Sequence, residues 1–375
     1  MATIDRLFRA MLEGEASDLH LLQGQPPKIR QHGHVIPVAE ESELTGESLS
    51  AMLEEICPPR RWKTFEASGD VDFAYALGDE ARFRCNYYRQ TTGMAAVFRT
   101  IPSRVLSLED LNAPKILEQI AEYRMGLILV TGPTGSGKST TLAAVIDHLN
   151  RNYARKILTL EDPIEFVHSS KQSVIVQREV GDHTATFASG LRAGIREDCD
   201  VILVGEMRDL ETISLAISAA ETGVLVFGTL HTNSAAKTID RIVNVFPSAQ
   251  QPQVLSMLSS SLRAVVSQQL LRTSDGQGRV AAHEILITNS AAAAAIREGR
   301  IAKLNQVIEG GKKQGMVSLD AQLRSLVEDG TVAADEAYLK AVDKKGFESL
   351  LGKNANPYAS RAFNRKELAK KLKKK

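Results

Sequence analysis

One glycine-rich stretch, GPTGSGKST at residues 132–140, constrains the fold of this chain more than any other. It follows a continuous apolar run, LILVT (127–131), which is typical of a strand buried on both faces. The residues after it place four apolar side chains on one helical face: Leu142, Val145, Ile146 and Leu149. A strand, a glycine loop and a helix in this order predict a phosphate-binding loop in an α/β domain. The alternative is a chance glycine turn.

The loop predicts a site for a nucleoside triphosphate. Glycines let backbone amides point at phosphates, and the helix N-terminus adds a partial positive charge. We expect Lys138 to reach the β and γ phosphates and the Ser139 hydroxyl to bind Mg²⁺, so ATP and Mg²⁺ are the expected cofactors. The predicted ATP-binding residues are the nine of the loop: Gly132, Pro133, Thr134, Gly135, Ser136, Gly137, Lys138, Ser139 and Thr140.

Acidic residues follow two other apolar runs and are candidates to complete the chemistry. In VILVGEMRD (201–209), Gly205 occupies the position where many such ATPases carry an aspartate, and the acid is Glu206. We expect Glu206 to polarise the attacking water or to hold a metal-bound water, unless it is an ordinary exposed glutamate. Three acids in TLEDPIEFVH (159–168) are expected to supply the missing negative charge, unless they form a solvated turn: Glu161, Asp162 and Glu165.

A histidine lies at the end of a further apolar run, FGTLHTNSA (227–235). Histidines on strands are more often structural residues than ligands. Ligand contacts in α/β sheets, however, lie at the carboxyl ends of the strands. We therefore expect His231 to sense the γ-phosphate by a hydrogen bond.

The chain changes character near residue 116. Before it, an amphipathic helix up to Gly14 and the alternating runs SDLHLL, DVDFAYAL, ARFRCNYYRQ and MAAVFRTI predict an α+β domain. After it, the apolar runs KILTL, VILVG, VLVFGTL and EILIT alternate with helical patterns, RDLETISLAISAAET and VLSMLSSSLRAVVSQQLL. This alternation predicts a mostly parallel sheet covered on both faces. The predicted parts are an N-terminal domain (1–102), a hinge linker (103–115), an ATPase domain (116–350) and a basic, disordered tail (351–375).

Composition excludes several classes of protein. No apolar run approaches the ~20 residues that span a bilayer, and the first residues lack the apolar core of a signal peptide. The three cysteines form no CxxC pair, which argues against a zinc site and fits a reducing cytoplasm: Cys57, Cys85 and Cys199.

The charge is unevenly distributed. The overall formal charge is +1, yet residues 353–375 hold nine Lys or Arg and one acid, Glu367, so the rest of the chain is net negative. That argues against a general nucleic-acid binder. The tail is interpreted either as a solubilising end or as a weak contact to an anionic membrane surface.

Four stretches resemble, in order and spacing, those of the type IV pilus retraction ATPases within the secretion-ATPase superfamily. They correspond to its Walker A (GPTGSGKST), Asp box (LTLEDPIEF), atypical Walker B (DVILVGEMRD) and His box (TGVLVFGTLHTNSA). SDLHLL, RFR, VFRTIP and QREVG (177–181) are similar too, and the resemblance covers roughly residues 1–345. The Walker A is shared by many proteins, whereas the other three boxes together are specific.

The resemblance implies a RecA-like P-loop ATPase domain preceded by a smaller PAS-like α+β domain, assembled as a homohexamer. ATP hydrolysis at subunit interfaces would drive hinge motions that turn an inner-membrane pilus platform protein and withdraw pilin subunits. The protein would be cytoplasmic and peripheral at the inner membrane, with other retraction-type ATPase subunits as possible partners.

The resemblance also implies roles for single residues. Glu206 would be the Walker B glutamate, Glu165 the Asp-box acid that binds the metal with Ser139, and His231 the His-box residue. Three arginines of the first domain are candidates to reach a neighbouring subunit's phosphates: Arg82, Arg84 and Arg99. The alternative, held equally open, is that they are ordinary arginines on the surface of strands.

One departure keeps a second interpretation open. The family segment AIRNLIRE, which is tied to retraction rather than to hydrolysis, is AAAAAIRE here (291–298). An accessory paralogue that modulates a retraction motor therefore remains an alternative.

A secretion or pilus-extension ATPase would carry a longer N-terminal region and usually a tetracysteine zinc subdomain. A nucleotide-dependent scaffold without turnover is disfavoured by Glu206 and His231.

Overall fold

The computed structural model describes residues 2–31, 34–78, 80–101 and 104–351. Its first part is an antiparallel six-stranded sheet in the order β3-β2-β1-β6-β5-β4 with three helices. In chain order the elements are α1 (Asp5–Glu13), β1 (Asp18–Leu22), β2 (Lys28–Gln31), β3 (His34–Pro37), α2 (Gly46–Ile56), α3 (Pro59–Ser68), β4 (Asp70–Leu77), β5 (Ala81–Gln90) and β6 (Gly93–Ile101). The strands predicted from alternating patterns are all present, and α1 ends at Gly14 as expected.

The first part has an apolar core of its own. Alternation along β5 turns Phe83, Cys85 and Tyr87 inward. Phe8 of α1 stacks on Phe83 with ring centroids 4.1 Å apart and meets Phe98 edge-on at 5.1 Å. Every buried residue of this cluster lies between Ile4 and Phe98, so the core is built by the first part alone.

The second part is a seven-stranded sheet in the order β13-β12-β7-β11-β10-β8-β9, parallel from β12 to β9 with β13 antiparallel at the edge. Its elements are α4 (Ile116–Ala121), β7 (Gly126–Thr131), α5 (Lys138–Asn152), β8 (Lys156–Glu161), β9 (Val174–Glu179), α6 (Phe187–Gly194), β10 (Val201–Val204), α7 (Leu210–Glu221), β11 (Leu225–Leu230), α8 (Ala235–Val243), α9 (Gln251–Ser261), β12 (Leu262–Arg272), β13 (Arg279–Ile287), α10 (Ser290–Arg297), α11 (Leu304–Gly310), α12 (Leu319–Glu328), α13 (Ala334–Lys340) and α14 (Lys344–Glu348).

Both faces of this sheet are covered. One apolar cluster joins the sheet to α7, α8, α9 and α10, and another joins its opposite face to α4 and α5. The interior strand β7 is buried along its whole length, which explains its unbroken apolar run. The α/β class, the mostly parallel sheet and the preceding α+β domain are thus confirmed.

One predicted helix is wrong in its second half. VLSMLSSSLRAVVSQQLL (254–271) is helical only to Ser261, where α9 ends, and continues as β12. Strand β12 is buried on both faces between β7 and β13, so its apolar residues do not alternate with polar ones. Their irregular spacing imitated a helical pattern, because periodicity alone does not separate a buried strand from a buried helix.

The segment predicted as the hinge linker is partly attached to the second core. Leu108 is 3% exposed and packs in the cluster that contains Leu117 and Ile128. The domain boundaries stay predictions, and the predicted tail beyond residue 351 lies outside the described residues. Across the described ranges, every helix is too short or too polar to cross a lipid bilayer.

A polar joint connects the two parts. Arg61 of α3 is 14% exposed and donates to the Val180 carbonyl oxygen at 2.7 Å and to Asp182 Oδ1 at 3.2 Å. Its guanidinium also lies 3.6 Å from Glu179 Oε1. Gly181 has a φ of 89°, and a Cβ there would lie 2.6 Å from Arg61 Nη1, so the joint requires glycine at this position.

Candidate active site

The glycine loop lies where β7 ends and α5 begins. Gly132, Gly135 and Gly137 all have positive φ values, of 150°, 76° and 86°. A Cβ on Gly132 would lie 2.2 Å from the Gln268 carbonyl oxygen, so only glycine fits against the neighbouring strand. A Cβ on Gly135 would meet nothing within 4 Å, because this side of the loop faces open space. The loop is therefore tight on its inner side and open on its outer side.

The polar groups of the loop suit a polyphosphate. Lys138 Nζ donates to the carbonyl oxygens of Gly132 at 2.9 Å and Pro133 at 3.2 Å, which places the ammonium over the loop. Burial lowers the pKa of Lys138, opposed by the charges of Glu206 and Glu165. Ser136 buries its hydroxyl oxygen with no hydrogen-bond partner among the described residues. An ammonium, an unpaired hydroxyl and a glycine cradle fit a phosphate chain.

A cleft of about 490 Å³ opens beside the loop, between the two parts of the chain. Its lining residues are Asp72, Arg84, Thr134, Gly135, Lys138, Ser139, Glu161, Asp162, Pro163, Glu165, Phe187, Gly205, Glu206, Arg208, Thr229 and His231. The acids and the histidine expected from three strand ends thus meet at one edge of the sheet. Five predicted loop residues belong to the loop or the first helical turn but not to this lining: Gly132, Pro133, Ser136, Gly137 and Thr140.

Glu206 and His231 form a pair in this cleft. They follow β10 and β11, which are parallel neighbours, and His231 Nε2 lies 3.0 Å from Glu206 Oε1. Arg208 contacts the same carboxylate oxygen, and this contact raises the pKa of Arg208. Arg208 was not identified from the sequence, although it stands two residues after Glu206.

Steric crowding explains why position 205 is a glycine. The Gly205 amide donates to the Leu160 carbonyl oxygen at 2.8 Å, and a Cβ on Gly205 would lie 2.9 Å from that oxygen. The end of β10 therefore passes too close to β8 for a side chain, and the acid stands one residue later.

The Asp-box loop is held by β9. Gln177 Nε2 donates to Glu161 Oε1 at 3.2 Å and to the Phe166 carbonyl oxygen at 2.8 Å. Glu179 Oε2 accepts from the Ile164 amide at 2.9 Å. Burial raises the pKa of Glu161, opposed by hydrogen bonds from Thr159 and Gln177. Sequence reasoning noted QREVG without a role, and the same-face spacing of Gln177 and Glu179 was the available signal.

The three candidate arginines have different environments in the structure. Arg84 borders the cleft of its own chain and lies 3.6 Å from Asp72 Oδ1. Arg99 instead donates to Asp18 Oδ1 at 2.8 Å within the first sheet. Arg82 buries a guanidinium nitrogen with no hydrogen-bond partner among the described residues. Only Arg84 of the three therefore approaches the glycine loop, and it does so within one subunit.

The donor set suits a magnesium ion held mainly by phosphate. Within the described ranges, no group of three or more His, Cys, Asp or Glu side chains is arranged to hold a metal ion. Mg²⁺ in nucleotide sites usually takes one or two protein ligands and completes its shell with phosphate oxygens and water. Ser139 and Glu165 both border the cleft, so the two predicted ligands fit this pattern.

Comparison with known proteins shows the family of this chain. The family profile described as "Type II/IV secretion system protein" matches residues 2–338. The chain belongs to this family. Among family relatives, the "Twitching motility protein" of Neisseria gonorrhoeae is 54% identical over 315 residues, covering 84% of this chain and 84% of that protein. The "Type IV pilus retractation ATPase PilT" of Pseudomonas aeruginosa PAO1 is 50% identical over 336 residues, covering 88% and 96%.

A solved member of the family has the same fold. The structure described as "Crystal Structure of the Pilus Retraction Motor PilT and Bound ADP" superposes with a TM-score of 0.85 at 40% identity. The superposition covers 93% of this chain and 99% of that one. The resemblance to the retraction ATPases, nucleotide binding and the class of enzyme, an ATP hydrolase, are thereby confirmed.

Proposed function

We propose that this chain is the Mg²⁺-dependent, homohexameric ATPase motor of type IV pilus retraction. The observation that carries the proposal is the Glu206–His231 pair, which faces the glycine loop across one cleft in a chain similar to twitching and pilus retraction proteins. We place the motor in the cytoplasm, peripheral to the inner membrane, where it acts on the pilus platform protein. Nucleic acid is not a proposed partner.

We propose a role for each of the main polar side chains of the cleft. Both contacts of Glu206 in the described chain use Oε1, so Oε2 is the oxygen that we assign to the attacking water. His231 orients Glu206, and Lys138 offsets charge on the phosphates as the bond to the γ-phosphorus breaks. Ser139 and Glu165 would hold Mg²⁺, which supplies further positive charge to the phosphate oxygens.

We propose that hydrolysis moves the two parts of the chain relative to each other, because each part forms one wall of the cleft. Asp72 and Arg84 come from the first part of the chain, and the loop and the acids come from the second. A change in phosphate charge between the walls therefore changes the attraction of Arg84 towards the loop. We propose Arg84 as an arginine acting within its own subunit, and hydrolysis at subunit interfaces remains part of the hexamer proposal.

The test replaces the proposed base. Glu206→Gln keeps the size of the side chain and removes its basicity, and we expect ATP turnover to fall at least ~100-fold. The matched control is Glu211→Gln on the exposed surface of α7, which should turn over like the wild type. Turnover, nucleotide binding and assembly size should be measured on all three proteins. Turnover within threefold of the wild type in Glu206→Gln contradicts the assignment.

A second candidate function is an accessory subunit of a retraction motor. The observation that favours it is the alanine run of α10, where the family has AIRNLIRE. In a strain without retraction ATPases, a motor restores pilus retraction by itself. An accessory subunit hydrolyses ATP but restores retraction only beside a second retraction ATPase. Expression of this chain alone and with that second ATPase separates the two functions.

A further inference from the structure

Gln268 lies directly beneath the glycine loop. It belongs to β12, which pairs in parallel with β7 up to the Ser267–Thr131 register position. The hydroxyl oxygens of these two residues are 2.7 Å apart. Gln268 is the next residue of β12 and is 2% exposed. It does not border the cleft, and it contacts the loop from β12.

The Gln268 amide joins three elements. Its Nε2 donates to the Ser136 carbonyl oxygen at 2.7 Å. Its Oε1 accepts from Thr141 Oγ1 of α5 at 2.8 Å and lies 3.2 Å from His283 Nε2 of β13. The loop is seated tightly on this side chain, since a Cβ on Gly137 would lie 2.8 Å from Gln268 Nε2.

The chemistry of the partners permits one orientation of the amide. The Ser136 carbonyl oxygen only accepts hydrogen bonds, so the NH₂ group of Gln268 must face it. Oε1 then receives the Thr141 hydroxyl, and His283 must carry its proton on Nε2 to donate as well. The Gln268 side chain is thus fixed at both ends before any nucleotide binds.

This orientation determines which way one loop amide points. The Ser136 carbonyl and the Gly137 N–H belong to the same peptide unit. In a planar trans peptide the C=O and N–H point in opposite directions. Because Gln268 holds the carbonyl towards β12, the Gly137 N–H points away from β12, and we place the phosphate on that side.

We propose that Gln268 is a positioning residue for nucleotide binding, which orients the Ser136–Gly137 peptide so that the loop is formed in advance. A loop that is already ordered loses less conformational entropy when the ligand binds. The role belongs to nucleotide binding itself and does not depend on whether hydrolysis drives pilus retraction.

The experiment compares two neighbouring glutamines. Gln268→Met keeps a side chain of similar length and removes the amide. Gln269→Met is the matched control, because Gln269 is the next residue of the same strand and borders a separate cavity near α8. We expect the Kd for ADP and the KM for ATP of the full chain to rise on the order of tenfold in Gln268→Met. The kcat should change less than threefold, and Gln269→Met should bind like the wild type.

The split between binding and turnover distinguishes positioning from a merely structural role. A lower kcat with an unchanged Kd for ADP in Gln268→Met would mean a smaller folded fraction and would overturn the proposal. An unchanged Kd together with an unchanged kcat would overturn it as well.

Thr141→Val provides a second variant if Gln268→Met does not fold. It removes one donor to Gln268 Oε1 with little change of shape, and we expect the Kd for ADP to rise about two- to fivefold. Binding equal to the wild type in Thr141→Val would contradict the proposal.

Discussion

At the scale of single residues, the cleft collects side chains whose positions follow from the ends of parallel strands. The glycine loop, Glu206 and His231 follow β7, β10 and β11, and these carboxyl ends meet at one edge of the sheet. Such residues are predictable because short motifs mark them. Gln268 belongs to no such motif, and its partner Ser136 is 132 residues away in the chain. Sequence reasoning therefore missed it.

His283 supports a prediction about pH. It is 3% exposed, and burial lowers its pKa to about 4, while Nδ1 has no hydrogen-bond partner among the described residues. Between pH 6.5 and 4 the unfolded chain binds this proton before the folded chain does. The stabilisation is therefore complete above pH 6.5 and is lost as the pH falls towards 4.

Between pH 7 and pH 5, the unfolding free energy should fall by roughly 2 kcal/mol less in His283→Gln than in the wild type. Urea unfolding followed by circular dichroism at both pH values measures it. The single tryptophan, Trp62 in α3, is an internal control, since the transition of the first part should keep its pH dependence. The same loss of stability in wild type and variant would show that His283 does not titrate in this range.

At the scale of elements, the prediction of secondary structure failed at β12, where burial on both faces removes the alternation of apolar and polar residues. Most strands of the first sheet alternate, because one face packs on helices and the other is more open, and these were found. Strand β12 has apolar neighbours on both faces, so its type depends on β7 and β13 rather than on its own sequence. The error hid Gln268, since a residue placed on a helix cannot be assigned to the loop's neighbouring strand.

Helix α10 allows a matched test of packing. Ala292 and Ala295 both belong to the large apolar cluster, at 0% and 5% exposed, but of the two only Ala295 borders a cavity of about 270 Å³. We expect Ala292→Leu to lower the unfolding free energy by about 1–3 kcal/mol through overpacking. Ala295→Leu has space beside it and should cost less than about 1 kcal/mol. Thermal and urea unfolding measure both, and equal losses would contradict the difference in space.

At the scale of the whole molecule, the chain is two bodies with separate apolar cores and a polar cleft between them. Among the described residues, the first core contains none beyond Phe98, and the apolar cluster on one face of the second sheet begins at Leu108. Arg61 links the bodies beside the Asp-box loop through Asp182 and the Val180 carbonyl. The two-body division was visible in the sequence as a change of pattern, but the joint was not, because no motif relates α3 to the end of β9.

If the Arg61 contacts hold the two bodies together, their loss should make the linker easier to cleave. Arg61→Gln removes hydrogen bonds from a charged donor to Asp182 and Val180, worth about 1.5–3 kcal/mol. We expect trypsin to cleave after Arg104, in the exposed linker, roughly tenfold faster in this variant. The matched control is Arg6→Gln, which removes a trypsin site and a surface pair with Glu41 within the first body. Equal cleavage in the two variants would show that Arg61 does not hold the bodies together.

Because each part has its own apolar core, we expect a change in the spacing of the two parts to leave both cores intact. Separating the blocks breaks hydrogen bonds and ion pairs that water replaces, and the buried residues of the first core stay packed within their own block. The contacts that resist separation are therefore polar, and because Arg61 and Glu179 are nearly buried, dissolved salt screens them only weakly. We therefore expect the preferred spacing of the two blocks to depend on the charge held inside the cleft more than on the ionic strength of the solution.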